Sequence, residues 1–228
     1  MNELKTKNLL DLSKTEAAKY FDEEADPFDV IGNIEDFIIA LGKELVRSGN
    51  YYKKVRDNIW LAHDTVIDDN AVIMEPAIIG PGTHIRHNAY IRGNVIIGAN
   101  CVVGNATEIK NSILFDGVEV PHFNYVGDSI LGYKVHFGAG AITANSKSTK
   151  GKVVLKIGEE NIPTNLTKLG AVVGDYVELG CNTVLNPGTV IGPKTTIYPG
   201  AIIRGYVKPN RILKLIQEHE IVEKWQGE

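Results

Sequence analysis

Residues 61–109, LAHDTVIDDNAVIMEPAIIGPGTHIRHNAYIRGNVIIGANCVVGNATEI, place an aliphatic side chain at every sixth position: Leu61, Ile67, Ile73, Ile79, Ile85, Ile91, Ile97, Val103 and Ile109. A five-residue step leads to Leu114, Val120 and Val126, and a second to Leu131, Phe137 and Thr143. The series resumes at Val173 and runs through Leu179, Leu185, Ile191, Ile197 and Ile203. Of these 21 leaders, 19 are Ile, Val or Leu, and Gly follows the leader at 80, 98, 104, 127, 132, 138, 174, 180 and 192. Neither an α-helix nor an alternating hairpin sheet keeps a strict six-residue repeat on one face. A solenoid of short flat strands meeting at regular corners does, with each leader pointing inward and stacking on its equivalent in the next coil. Three hexads per coil predict about seven coils, roughly 34 Å of stack at ~4.8 Å between strands.

The rest of the composition agrees with a mainly β chain. Among 228 residues there are 26 Ile and 21 Val against 16 Leu, and 19 of the 23 Gly fall between residues 59 and 207. β-branched side chains pack well on pleated surfaces. A formal net charge of −4 argues against nucleic-acid binding, which needs a concentrated basic surface. Cys101 and Cys181 are 80 residues apart, a spacing that suits neither a disulfide scaffold nor a metal site. No run reaches about 18 apolar residues, and the start, MNELKTKNLLDLSK, lacks a signal-type apolar core. A cytoplasmic protein without membrane spans is the expectation.

Both flanks read as helical. Residues 1–58 hold Ser13 and Glu16 at capping-box spacing, Asp26-Pro27 as a helix separator, and Ile34, Phe37, Ile38, Leu41 and Leu45 on one helical face before Gly49. Pro209 can open a C-terminal helix through about Lys224, striped by Ile212, Leu215, Ile216 and Val222. The predicted organisation is an N-terminal helical segment (1–58), the solenoid (59–207) with a loop excursion at 146–172, and a C-terminal helix (208–228).

The hexad pattern resembles the hexapeptide-repeat acyltransferases. That resemblance, and not the spacing, implies a left-handed parallel β-helix and a homotrimer with active sites in clefts between neighbouring prisms.

Chemistry concentrates around residues 90–146. Arg92 and Lys110 each follow a leader and lie one coil apart, so they should occupy the same place on one face about 4.8 Å apart. Two like charges held that close call for an anion between them, and a phosphate suits an Arg fork beside a Lys. His122, Tyr125 and Asn145 are expected to converge with them around one edge of the prism. The excursion adds Lys147, Lys150, Lys152, Lys156 and Lys168. The six histidines, at 63, 84, 87, 122, 136 and 219, lack the spacing that brings three imidazoles to one zinc, so no metal site is predicted.

Within 103–146 the pieces GN-x-x-E-x-K, PH-x-x-Y-x-GDS and GAG-x-x-x-A-N give a closer resemblance. It is to the acetyltransferase domain of the bacterial glucosamine-1-phosphate acetyltransferase / N-acetylglucosamine-1-phosphate uridylyltransferase, and to the C-terminal domain of archaeal sugar-1-phosphate nucleotidylyltransferases. The resemblance implies an acetyl-CoA-dependent N-acetyltransferase acting on an amino-sugar 1-phosphate or a related nucleotide sugar. It implies His122 as general base and Asn145 as the side chain that positions amine and acetyl group. Arg92, Lys110 and Tyr125 would hold the 1-phosphate, and Ala139, Gly140 and Cys181 would line the coenzyme A path. The family's lysine six residues beyond the Asn has no counterpart here, where position 151 is Gly; Lys150 or Lys152 could substitute. Residues 1–58 contain no Gly-rich phosphate loop ending in Thr-Arg, so nucleotidylyl transfer is not expected. A non-catalytic sugar-phosphate-binding or trimerising module is the alternative.

Overall fold

In the computed structural model, which describes residues 3–49 and 51–225, the hexads become a three-sided parallel β-solenoid. Residues 1, 2, 50 and 226–228, which belong to the predicted flanking segments, lie outside the described residues. Face I runs from Ile59–Ala62 to Tyr206–Val207, face II from Val66–Ile67 to Ile212–Leu213, and face III from Val72–Ile73 to Ile202–Ile203. Leaders pair with leaders throughout: Ile79 with Ile97, Ile97 with Leu114, Ile109 with Val126, and Leu131 with Val173 across the excursion. Stacked this way, they fill the prism as one continuous buried core.

The stack is taller than seven coils. Val207 pairs with Ile191 and Leu213 with Ile197, extending faces I and II by one strand each. This replaces the start of the predicted C-terminal helix. The carbonyls of Arg211 and Leu213 accept from Thr196 and Tyr198, which commits this stretch to the ladder, and Asn210 turns the chain through left-handed backbone (φ 57°). Residues 214–225 have no regular secondary structure. Ile216, Ile221 and Val222 are exposed, and a short helix with no surface to pack against is marginal in water.

The N-terminal segment is less helical than its pattern implies. It forms a short helix α1 (Thr6–Leu9), three 3-10 turns, and α2 (Ile34–Ser48), and then a strand, Tyr52–Arg56, antiparallel to Ile59–Ala62. Asp11 rather than Ser13 provides the first cap, accepting from the Ser13 N–H at 3.0 Å. Pro27 opens a 3-10 stretch (Pro27–Asn33) that runs straight into α2.

What this segment covers explains a feature that hexad counting leaves aside. On face I the residue before each leader is also apolar, and Trp60, Ile78, Ile96, Ile113, Ile130, Val172 and Val190 point outward yet are buried. Leu4, Leu9, Phe21, Phe28, Ile34, Ile38 and Leu41 pack on them as a second core. The excursion joins that layer. Its hairpin, Val154–Ile157 with Glu160–Pro163, is anchored by buried Val153 and Leu155. Among the described residues no helix is long and apolar enough to cross a membrane.

Candidate functional site at two corners of face III

The five-residue steps after Ile109 and Val126 shorten the corner between faces III and I in two successive coils. Asn111 and Asp128 take left-handed backbone there (φ 47° and 50°), which short polar side chains tolerate better than most. The ladder then stacks Asn111, Asp128 and Asn145 in consecutive coils. Asp128, only 4 % exposed, is the hub. Its carboxylate accepts from Asn111 Nδ2 at 2.8 Å and from Asn145 Nδ2, and Lys110 Nζ stands 3.3 Å away. Asn145 Nδ2 also donates to the Tyr125 hydroxyl at 3.1 Å. A carboxylate accepts only, so it fixes which end of the Asn145 amide faces it. Both amide hydrogens are thereby used, and Oδ1 remains as an acceptor. The Tyr125 oxygen accepts from the amide, so its own hydrogen stays available to donate.

Gly127 makes this junction possible. A Cβ there would lie 2.6 Å from the Tyr125 hydroxyl and 2.7 Å from Asn145 Nδ2. Burial raises the Tyr125 hydroxyl pKa, the Asn145 hydrogen bond opposes that, and Asp128 adds to the rise. The phenol is therefore neutral and a donor at ordinary pH. Below it, Arg92 Nη1 donates to Glu108 Oε1 at 2.7 Å, and this bond raises the guanidinium pKa further. Arg92, Lys110, Asn111 and Asp128 line an open cleft of about 380 Å³.

The structure changes the electrostatic argument for an anion. Arg92 and Lys110 do occupy one column of face III, with Arg92 N–H bonded to the Ile109 carbonyl one coil above. Each cation, however, has its own carboxylate, Glu108 and Asp128 respectively. Their mutual repulsion is already offset, and it does not by itself demand a phosphate.

Lys110, Tyr125 and Asn145 are brought together at the III–I corner; His122 is not. It lies at the other end of face III, at the II–III corner, separated along the chain by the extended run through Tyr125. The expectation of a single edge is corrected accordingly. The His122 imidazole is exposed and, among the described residues, has no carboxylate partner. Buried Asn124 holds its backbone, accepting from the His122 N–H at 3.0 Å and donating to Gly138 and Ala141 carbonyls. The register places Ala139 one coil above His122 and Cys181 one coil above Ala139, and Gly140 N–H donates to the His122 carbonyl at 3.0 Å. Cys181 is exposed. Lys150 is exposed on the excursion, and Lys152 Nζ donates to Asn165 Oδ1 at 3.3 Å; neither is recorded touching the Asn145 group.

Residues 73–222 match the family described as GMPPB C-terminal domain. The chain belongs to that family. The GMPPB C-terminal-domain match begins in the first coil and takes in both corners of face III, while the segment that covers face I precedes it. The chain is also 32 % identical over 173 residues to a bifunctional sugar-1-phosphate nucleotidylyltransferase/acetyltransferase of Sulfurisphaera tokodaii, covering 76 % of this chain and 39 % of that protein. It is 33 % identical over 212 residues to the bifunctional protein GlmU of Methanococcus vannielii, covering 86 % and 48 %. The chain thus spans less than half the length of both relatives. Among solved structures, the polySia-specific acetyltransferase NeuO aligns at 15 % identity with a TM-score of 0.38, covering 69 % of this chain and 87 % of that one.

Three residues of the site are given no role by the sequence reading: Glu108 and Asp128, which stand inside the quoted motifs, and Asn111, which does not. A signal for two of them was available, because stepping by 17 from Asn111 gives Asp128 and then Asn145.

Proposed function

We propose that this chain is an acetyl-CoA-dependent N-acetyltransferase whose acceptor is an amino-sugar 1-phosphate or a related nucleotide sugar. The observation that carries this reading is the Lys110–Asp128–Asn145–Tyr125 junction. Lys110 and Asp128 line the open cleft, and Asp128 ties Asn145, and through it the Tyr125 hydroxyl, to that cleft, so a cation, a phenol donor and one amide acceptor are grouped as a phosphorylated amino sugar needs. The phosphate rests on Lys110 and Arg92, the Tyr125 hydroxyl donates to a phosphate or sugar oxygen, and Asn145 Oδ1 accepts an N–H of the amine and so aims its lone pair.

The amine attacks the thioester carbonyl while His122, acting as general base, takes a proton from nitrogen. The C–S bond then breaks, and the departing thiolate recovers that proton from the imidazolium. The products are the N-acetylated sugar phosphate and coenzyme A. Because His122 and the junction lie at opposite corners within one chain, a second copy that sets its His122 corner against the III–I corner unites them. This supports the homotrimer expectation. The acyl donor lies along the His122–Ala139–Cys181 column, where small side chains leave room, and Lys150 or Lys152, both on the excursion, supplies a further phosphate contact.

The test is release of free thiol with amino-sugar 1-phosphates and nucleotide sugars. His122→Ala should lower turnover by about 10²–10⁴-fold with an unchanged melting temperature, since the side chain is exposed. Wild-type turnover in that variant overturns the assignment. A second reading, a non-catalytic binding or assembly module, is favoured by the imidazole's lack of a carboxylate partner among the described residues. Calorimetry with acetyl-CoA separates the two, because saturable binding is expected only of the enzyme.

A further inference from the structure

A second cleft, of about 680 Å³, lies between the excursion hairpin and the upper coils of face III. Its cations are Lys147, Lys156 and Arg204, and its neutral hydrogen-bonding groups include Thr149, Asn161 and Asn186; no carboxylate lines it. Among the described residues none of the three cations forms an ion pair. Lys147 Nζ is held by the Lys152 carbonyl at 3.0 Å. The contrast with Arg92 and Lys110, each matched to a carboxylate, is direct: here the positive charge is uncompensated. A concave surface with cations of one sign concentrates anions from solution.

The cleft is built on fixed elements. The hairpin seats against the coils at two glycines with left-handed backbone, Gly188 (φ 78°) and Gly205 (φ 84°). A Cβ at Gly205 would lie 2.6 Å from the Lys156 carbonyl, and one at Gly188 would lie 2.8 Å from Val153. With Val153 and Leu155 buried in the second core, the Lys156 backbone is held beside Gly205, the residue after Arg204, and both side chains line the cleft. Register also aligns the two clefts. Arg92, Lys110, Gly127, Ala144, Asn186 and Arg204 follow one another in a single column of face III. Arg204 therefore stands two strand spacings, about 10 Å, above the Asn145 coil.

We infer that this cleft is a second anion site that binds a phosphate-bearing group. Cations together with amide and hydroxyl donors, and no competing carboxylate, suit phosphate oxygens. The inference stands on the cleft alone and holds whether or not the acyl-transfer reading does. Two sources share this chemistry: the phosphates of the acyl donor, and those of a nucleotide carried by the acceptor.

The test uses the full chain and pyrophosphate as the probe, titrated by calorimetry at low salt. Lys156→Gln and Arg204→Gln, both at exposed positions, should each weaken pyrophosphate binding at least fivefold. Lys168→Gln, an exposed lysine of the same excursion outside the cleft, should leave it unchanged. Competition by coenzyme A assigns the site to the acyl donor, and competition by a nucleoside diphosphate assigns it to the acceptor. Pyrophosphate binding that is absent in the wild type, or indifferent to Lys156→Gln and Arg204→Gln, overturns the inference.

Discussion

Asp128→Asn keeps the volume of the side chain and removes its charge. The carboxylate serves three donors at once: Asn111 Nδ2 at 2.8 Å, Asn145 Nδ2, and Lys110 Nζ at 3.3 Å. An asparagine offers one carbonyl oxygen, so its NH2 must face at least one of those donors. About one neutral and one charge-assisted hydrogen bond are lost, at ~1 and ~1.5–3 kcal/mol. Lys110 keeps some access to water, its side chain being 19 % exposed, which favours the lower part of the summed range, about 2.5–3 kcal/mol. For a chain of this size ~1 kcal/mol corresponds to about 2–4 °C, so melting should fall by about 5–12 °C. The functional loss should be larger in proportion. Freed from the carboxylate, the Asn145 amide can turn its oxygen inward, and misplacement of a positioning group by ~1 Å costs about 10²-fold in rate. Steady-state kinetics of acetyl transfer should therefore show kcat/KM for the acceptor down about 10²-fold, with KM for acetyl-CoA unchanged. Asn145→Ala in the same background should add little, since both substitutions disable one device. A variant within threefold of wild type, or fully additive effects of the two substitutions, refutes the role given to Asp128.

Gly127→Ala places a methyl group 2.6–2.7 Å from the Tyr125 hydroxyl and Asn145 Nδ2; acceptor KM should rise about tenfold or more while the His122 corner, probed by acetyl-CoA binding, is untouched. Gly42→Ala drives a Cβ to 2.2–2.5 Å from the Trp60 indole, so overpacking should cost ~1–3 kcal/mol, read as a lower melting temperature with acetyl transfer retained at 25 °C. Partial desolvation, at a residue that keeps contact with solvent, and the neighbouring Asp116 raise the Glu16 carboxyl pKa above its ordinary value. Its favourable contribution is therefore full below the unfolded value and is lost as pH rises through the folded one. Glu16→Gln should accordingly be more stable than wild type at pH 7–8 and indistinguishable from it near pH 4, by denaturant midpoint; a gain that is equal at both pH values contradicts the shift.

Most of the solenoid was legible because its register is a one-dimensional property. Leaders six or five residues apart predict which residues stack, and Leu131 pairing with Val173 across the excursion follows from the same rule. The additional strand at Ile212–Leu213 obeys it too, since Leu213 is six residues after Val207; Pro209 and an amphipathic spacing pointed instead to a helix that had no surface to bury. Residues 10–33 were harder, because their shape is set by contact with face I. Asp175 shows this: its Oδ2 accepts the Asp11 N–H and its Oδ1 the Tyr133 N–H, both at 2.7 Å. Such a bond between residues 164 apart in sequence leaves no local trace. At the site, residue types were readable from motif and column, but direction was not. Which corner His122 occupies relative to Asn145 depends on how far face III extends between them, and which cations already have partners depends on side-chain reach.

The N-terminal cover over face I also limits how such rods can associate sideways. A three-sided rod with all sides free could meet neighbours in three directions and spread as a layer. With one side sheathed, contact is confined to two adjoining sides that differ from each other, and a head-to-tail contact between unlike sides closes into a ring when its rotation permits. In such a ring each joint would be edged by a corner of face III, so a sheathed side leaves fewer ways to build a layer than to close a small set.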